Sequence, residues 1–152
     1  MIISQNSRLS QLYEQDFVLW VDETVKHLYN QDLEQIDWPH LIEEIEGLGR
    51  EQRHKVDSYL VQLLIHLLLY CYWETEKERC QRGWENKIDN FRLELELLFE
   101  SKTLYNYYLK RIEELYPKAK KLVIKKTKLP SNIFPETCPF SSEQLLDIEF
   151  LP

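Results

Sequence analysis

Carboxylate and imidazole side chains in the first half of the sequence have types and spacings that could do chemistry. Glu44 and Glu46 flank the apolar face of a predicted helix, each about 100° from its centre. His66 lies off the main apolar stripe of the next predicted helix. Flanking carboxylates can bind a metal or act as a general base, and a buried imidazole can ligate a metal or relay a proton. These residues predict an interhelical pocket lined by Glu44, Glu46, Gln62, His66, Tyr70 and Arg92.

A structural interpretation of the same residues stays open. Carboxylates beside an apolar face often pair with a cationic side chain of a neighbouring helix, and Arg92 is available for Glu44 or Glu46. A buried histidine is commonly hydrogen-bonded to a tyrosine or a glutamate without any catalytic role.

A dinuclear iron site is not predicted, because such a site needs two Glu-x-x-His motifs and two further glutamates. The stretch from Glu51 to His54 has this spacing, but the sequence contains no second one. Its neighbours are rich in Arg and Lys, which suits a solvent-facing stretch. A mononuclear metal site using His66 and Glu44 stays a hypothesis, although no metal or cofactor is expected.

Motifs for nucleophilic catalysis or phosphate binding are missing from the sequence. No serine lies in a Gly-x-Ser-x-Gly elbow. Gly47, Gly49 and Gly83 are the only glycines, too few for a loop that cradles phosphate. The sequence therefore leans towards a protein without catalytic activity.

A basic run stands out in an acidic chain. The chain has 19 basic and 26 acidic residues, a net charge of −7, yet residues 118–128 contain no acidic side chain. Such a run is typical of a solvated face near a helix C-terminus, where cations are favoured, and it is also a candidate site for an anionic partner. The overall acidity disfavours extensive nucleic-acid binding. The candidate anion-binding patch consists of Lys118, Lys120, Lys121, Lys125, Lys126 and Lys128.

Length and composition indicate one soluble globular domain. The chain has 152 residues, of which 43% are hydrophobic and 30% charged, unlike a disordered chain. Its most apolar run, residues 60–73, is shorter than the roughly 20 residues of a membrane-spanning helix. Three cysteines without metal-binding spacing, and no signal-peptide pattern, favour a cytoplasmic location.

Apolar periodicity predicts an all-α fold, a single-domain bundle of four or five main helices. A loose lead-in is expected over residues 1–12 and the helical-bundle domain over residues 13–152. The first helix should run over residues 13–30. Asp37 is a natural N-cap for a short helix of about ten residues, which Gly49 is expected to end. Four apolar residues fall on one face of that short helix: Trp38, Leu41, Ile45 and Leu48.

The next two helices differ in their patterns. Residues 50–73 are apolar on nearly every side, which predicts a buried central helix. Residues 74–82 are charged and aperiodic, and we expect a loop or frayed helix ends there. The following helix carries a regular apolar stripe, and Leu93 and Leu97 on its back suggest contact with a partner subunit.

A last long helix and a tail complete the predicted bundle. The helix is capped by Ser101 or Thr103, and a kink or break is expected just before Pro117. The tail, residues 129–152, contains a short helix over 143–147 capped by one of two preceding serines. We expect the tail to pack against the bundle through its apolar side chains, Phe134, Phe140, Phe150 and Leu151.

Blocks of residues along nearly the whole chain resemble a known family in their order and spacing. The blocks are Tyr13 to Phe17 with Trp20, Asp37-Trp38 with Leu41 to Glu46 and Leu48-Gly49, Leu63-Leu64 with His66 to Leu68, Trp84 with Ile88 and Arg92, and the tail elements Leu129-Pro130, Phe134-Pro135, Cys138-Pro139, Leu145 to Asp147 and Phe150 to Pro152. On these residues the chain resembles the domain-of-unknown-function family 29 over about residues 13–152. The resemblance implies an all-helical domain and supplies no activity, cofactor or catalytic residue. Gly83, Lys126 and Lys128 depart from the residues usual in that family.

Three functions stay open from the sequence. The leading hypothesis is a small cytosolic interaction or adaptor module without catalytic activity, which binds a protein partner or a second copy of itself. The alternative is a small-ligand-binding or metal-binding protein, or an enzyme, that uses the pocket near His66 and Glu44. The third is weak binding of nucleic acid or another anion through residues 118–128. No membrane association is expected.

Overall fold

The computed structural model describes residues 7–152, and the all-α prediction is confirmed for them. They form helices, two short 3₁₀ turns and loops, with no strand. Part of the expected lead-in, residues 1–6, lies outside the described residues. Five main helices and one short one follow in order: α1 (Ser7–Gln15), α2 (Phe17–Tyr29), α3 (Trp38–Tyr72), α4 (Glu74–Leu98), α5 (Lys102–Thr127) and α6 (Ser142–Leu146).

The chain divides into two compact units. Unit 1 ends at Arg50 and unit 2 comprises residues 51–152. Helix α3 begins in unit 1 and ends in unit 2. No helix within residues 7–152 is long and apolar enough to cross a lipid bilayer.

Two helices of unit 1 stand where the sequence predicted one. Helix α1 begins at Ser7, six residues before the expected start, and Leu9 on it is buried. A second helix then starts at Phe17, because the Asp16 carboxylate accepts a hydrogen bond from the Leu19 amide at 3.1 Å. A side chain that satisfies a free amide in this way favours a new helix start.

Helix α3 runs through the point where Gly49 was expected to end it. No glycine among the described residues has a positive φ, so Gly49 does not adopt the left-handed conformation of a helix C-terminus. A glycine inside a helix costs only about 1 kcal/mol relative to alanine. The left-handed positions instead lie after α2 and α5, at Gln31 and Lys128.

The predicted loop over residues 74–82 is wrong, because α4 begins at Glu74. Glu74 and Glu76 lie in its first turn, where negative charge is favoured, and Arg79 forms an ion pair with Glu76. Apolar periodicity could not reveal this turn, since most of its side chains are exposed and its stability comes from charge and helix propensity.

Of the kink or break predicted before Pro117, the break is wrong, because α5 is continuous from Lys102 to Thr127. Pro117 lacks an amide hydrogen, so the carbonyl of Glu113 loses its helical partner. Both residues are exposed, and water can satisfy that carbonyl. The predicted cap is confirmed, since the Ser101 hydroxyl accepts a hydrogen bond from the Leu104 amide.

The core of unit 2 is formed by the second part of α3 together with α4, α5 and the tail. The tail lies against this core as predicted, with Phe134 and Phe140 buried and Phe150 half-buried, although Leu151 is exposed. Helix α6 has the expected serine cap, a capping box between Ser141 and Gln144.

Buried donors on α4 and α5 hold the tail through its backbone. The Arg92 guanidinium donates hydrogen bonds to the carbonyls of Leu145 and Phe150, both at 2.8 Å, and to that of Gln144 at 3.1 Å. Tyr108 donates to the Ser142 carbonyl at 2.9 Å. Arg92 is therefore a fastening residue for the tail, and burial lowers the pKa of its guanidinium.

Candidate interaction surface

Four residues of the predicted pocket contact residues outside it: Glu44, Glu46, Tyr70 and Arg92. The Glu44 carboxylate accepts a hydrogen bond from the Tyr13 hydroxyl at 2.5 Å. Glu46 is exposed, 4.0 Å from the Arg50 guanidinium. Tyr70 donates a hydrogen bond to Glu85 at 3.3 Å. Arg92 was expected to pair with Glu44 or Glu46. Its guanidinium instead donates to backbone carbonyls of the tail, such as that of Leu145.

His66 contacts a backbone carbonyl of its own helix and an aromatic ring of α4. Its Nδ1 lies 2.7 Å from the carbonyl of Gln62 on the same helix, and its ring packs against Phe91 at 5.4 Å. Burial lowers the pKa of His66, which keeps the imidazole neutral. Within residues 7–152, no group of three or more His, Cys, Asp or Glu side chains has a geometry that could hold a metal ion.

The lysine run lies along the exposed side of α5 and just beyond its end. Lys120 is half-buried and the other five lysines of the patch are exposed. A shallow, open depression is lined there by Lys120 and Lys121 together with Pro117, Ile124 and Glu136. The negative charge of the Glu136 carboxylate would repel an anion in this depression.

A polar and aromatic network, which the sequence did not predict, fills the interior of unit 1. The buried Asp37 carboxylate accepts a hydrogen bond from the Trp20 indole at 3.2 Å and lies 2.6 Å from Nδ1 of His40. The His40 ring stacks on Tyr13, with centroids 3.8 Å apart and planes inclined by 11°. Tyr13 in turn binds Glu44. We call these five residues the Asp37 network.

The Asp37 network links residues of α1, α2 and α3 within unit 1. A carboxylate that orients an imidazole also occurs in many general-base sites. Among the described residues, the ring of His40 stacks on an aromatic face and its Nδ1 binds Asp37. The hydrogen bond to the Glu44 carboxylate raises the pKa of Tyr13 to about 12, so Tyr13 stays a donor at neutral pH.

The apolar face predicted for the start of α3 points outward. Four large apolar side chains of this segment are exposed, and we call them the outer face: Trp38, Ile42, Ile45 and Leu48. Of the four residues predicted to share the apolar face, only Leu41 is half-buried. The reason is the Asp37 network, since His40 and Glu44, on roughly the opposite side of the helix from Ile42 and Ile45, have their partners inside unit 1.

Exposed apolar side chains are concentrated in unit 1. Of the eighteen large apolar side chains exposed among the described residues, eleven lie between residues 17 and 48. In unit 2, Leu93 and Leu97 on the back of α4 are exposed, in agreement with their predicted position. Isolated exposed leucines are common on protein surfaces.

Net charge is divided between the units just as unevenly. Residues 1–50 contain three basic and ten acidic side chains, a net charge of −7, whereas residues 51–152 contain sixteen of each. The whole net charge of the protein therefore belongs to the segment that carries the outer face.

The described residues form an all-helical fold, and its acidic first segment carries exposed apolar side chains. Residues 12–151 match the model of a family described as Domain of unknown function DUF29. Since the match covers nearly the whole chain, the protein belongs to this family, as its sequence blocks predicted. No curated protein and no solved structure matches the chain.

Proposed function

We propose that this protein is a non-catalytic interaction module that docks a partner protein on the outer face of α3. The observation that carries the proposal is the orientation of α3 in unit 1, where polar side chains lie inward and apolar ones outward. Ile42 is 52% exposed and Ile45 59% exposed, while His40 and Glu44 have hydrogen-bond partners within the unit.

The Asp37 network makes this orientation costly to reverse. Turning the outer face inward would separate the Asp37 carboxylate from Trp20 and His40 and would leave polar groups unpaired. An unpaired buried donor or acceptor costs about 1–3 kcal/mol. The exposed isoleucines are therefore a stable property of unit 1, available to a partner, and their burial on binding would favour the complex.

A cytoplasmic setting is part of the proposal. Cys71, Cys80 and Cys138 are all free. Burial raises the pKa of the Cys71 and Cys138 thiols, which disfavours the reactive thiolate. Three unpaired cysteines suit a reducing compartment.

Site-specific photo-crosslinking in the cells that naturally make the protein tests the docking face. A photoreactive residue is placed in the full-length chain at Ile45, and a matched control carries it at Leu97, an exposed leucine of unit 2. We expect a discrete crosslinked protein from position 45, lost when Ile42→Ser is added and kept when Leu93→Ser is added. Equal crosslinking from both positions, or none from position 45, would contradict the proposal.

A further inference from the structure

We infer that the occupant of the outer face is a basic amphipathic helix of a different protein. The inference rests on the proposed docking function and names the chemistry of the partner. Three features of the described residues carry it: the spacing of the apolar side chains, the charge around them, and the mismatch between this face and a second copy of the chain.

The spacing of the outer face fits a helix. Trp38, Ile42 and Ile45 follow one another at intervals of four and three residues, and Gly49 continues the series without a side chain. The stretch is about 16 Å long at 1.5 Å per residue, or three helical turns. Docked helices use such anchors at intervals of three and four, and glycine permits close approach of a second backbone.

Apolar residues later on α3, at the same helical positions as the outer face, are covered by other parts of this chain. Val56, Leu60 and Leu63 lie eighteen residues after Trp38, Ile42 and Ile45, about five helical turns, and therefore at the same angles around the helix. All three are fully buried in a core to which α4 and α5 contribute. Since helices pack against these later residues, we infer that a helix also packs against the outer face.

The charge around the outer face selects a basic helix. Glu43 and Glu46 are exposed on the same segment of α3, and unit 1 has a net charge of −7. A helix with apolar side chains on one side and lysines or arginines beside them would bury Ile42 and Ile45 and place its charges near these carboxylates. Complementary charge of this kind speeds association and excludes acidic competitors.

A second copy of this chain does not fit as well. Two outer faces packed together would bring two units of charge −7 into contact, which is unfavourable. The basic part of α5 supplies lysines. Within residues 118–127, however, Leu122 is the one large apolar side chain that is exposed. This part of α5 therefore offers charge without an apolar side to match Ile42 and Ile45.

Binding of designed peptides to the full-length protein tests the inference. The probe is a fluorescent 18-residue helix of leucine and lysine with all leucines on one face. Matched controls are a leucine-glutamate helix of the same pattern and a scrambled leucine-lysine peptide. We expect the patterned basic helix to bind at least tenfold more tightly than either control, and its affinity to fall as salt is raised.

Reversing the charge of two glutamates beside the outer face tests whether the basic peptide binds there. Glu43→Lys combined with Glu46→Lys should weaken the patterned basic helix at least tenfold. The matched control, Glu94→Lys with Glu96→Lys beside the exposed leucines of α4, should leave its affinity unchanged. Equal weakening by both pairs would show non-specific charge attraction and overturn the inference.

The outcomes separate this inference from the docking proposal. If position 45 crosslinks to a partner but the leucine-glutamate helix binds as well as the basic one, docking stands and the inferred chemistry is wrong. If the crosslinked protein is a second copy of the chain, the inferred partner is also wrong. If position 45 gives no crosslink and no peptide binds, docking on the outer face fails and the inference fails with it.

Discussion

The two units differ most clearly along one helix, α3. Ile45 and Leu63 lie eighteen residues apart, at the same angle around the helix, yet Ile45 is 59% exposed and Leu63 is fully buried. Ile42 and Leu60 differ in the same way. In unit 2 this stripe packs into the apolar core, whereas in unit 1 it is exposed, and His40 and Glu44 on roughly the opposite side of α3 have partners within the unit. An apolar stripe therefore predicts a contact surface, but not whether the chain itself supplies the contact.

The buried charges of the two units make a second contrast. Asp37 in unit 1 and Arg92 in unit 2 are both less than a tenth exposed. Asp37 binds two side chains and fixes how α2 and α3 meet, whereas Arg92 binds three backbone carbonyls and fastens the tail. Each buried charge is hydrogen-bonded, as burial requires, so each should be sensitive to substitution.

The matched positions on α3 give the largest expected difference. Leu63→Ala should lower the free energy of unfolding by about 2–5 kcal/mol, because it leaves a cavity in the core of unit 2. Ile45→Ala should change it by less than about 0.5 kcal/mol, because the side chain is exposed. Denaturant unfolding of the two full-length variants measures both values. Similar losses at the two positions would show that Ile45 is covered by other residues of the chain.

Arg92→Met should destabilise unit 2 by about 2–4 kcal/mol, since charge-assisted hydrogen bonds to three carbonyls of the tail are lost. Hydrogen exchange should speed up most over residues 140–150. Arg82→Met, at an exposed position of the same helix, is the matched control and should have little effect. Unchanged exchange in the tail of the Arg92 variant would remove the fastening role assigned to this residue.

Asp37→Ala should destabilise unit 1 by about 1–3 kcal/mol, because Trp20 and His40 lose their common acceptor. The loss of hydrogen-exchange protection should be confined to the described residues of unit 1. Asp22→Ala, which removes an exposed carboxylate of α2, controls for the change in net charge. Equal loss of protection in both units would mean that the Asp37 network supports the whole molecule.

Sequence periodicity predicted most of unit 2 and much less of unit 1. The buried stripe of α3 around Leu60 and Leu63 could be predicted because an apolar core obeys the 3.6-residue period. The Asp37 network could not, since its bonds join residues up to 31 positions apart and depend on how the helices meet. Tyr13, Trp20, Asp37 and Glu44 all belong to the blocks that carried the family resemblance, but those blocks indicated a fold and not a network.

The partners of the individual site residues could not be predicted for a related physical reason. Glu44 and His66 were grouped by chemical type, and a side chain's type does not reveal which neighbour satisfies it. His66 binds a carbonyl of its own helix, and Glu44 binds a tyrosine from a segment predicted to begin another helix. The outward turn of Ile45 followed from these bonds, because a helix has one inward side and polar partners had occupied it.

A glycine in each unit gives the smallest effect and tests whether the two units unfold separately. Gly47 and Gly83 both lie inside helices, where alanine is favoured by about 0.5–1 kcal/mol. A methyl group at Gly47 would lie 3.8 Å from the flexible end of Arg50, and one at Gly83 would have no neighbour within 4 Å. Gly47→Ala should therefore slow hydrogen exchange in unit 1 alone, and Gly83→Ala in unit 2 alone. If each substitution slowed exchange equally in both units, the two would unfold as one cooperative structure, and the contrast between them would be one of surface and packing but not of stability.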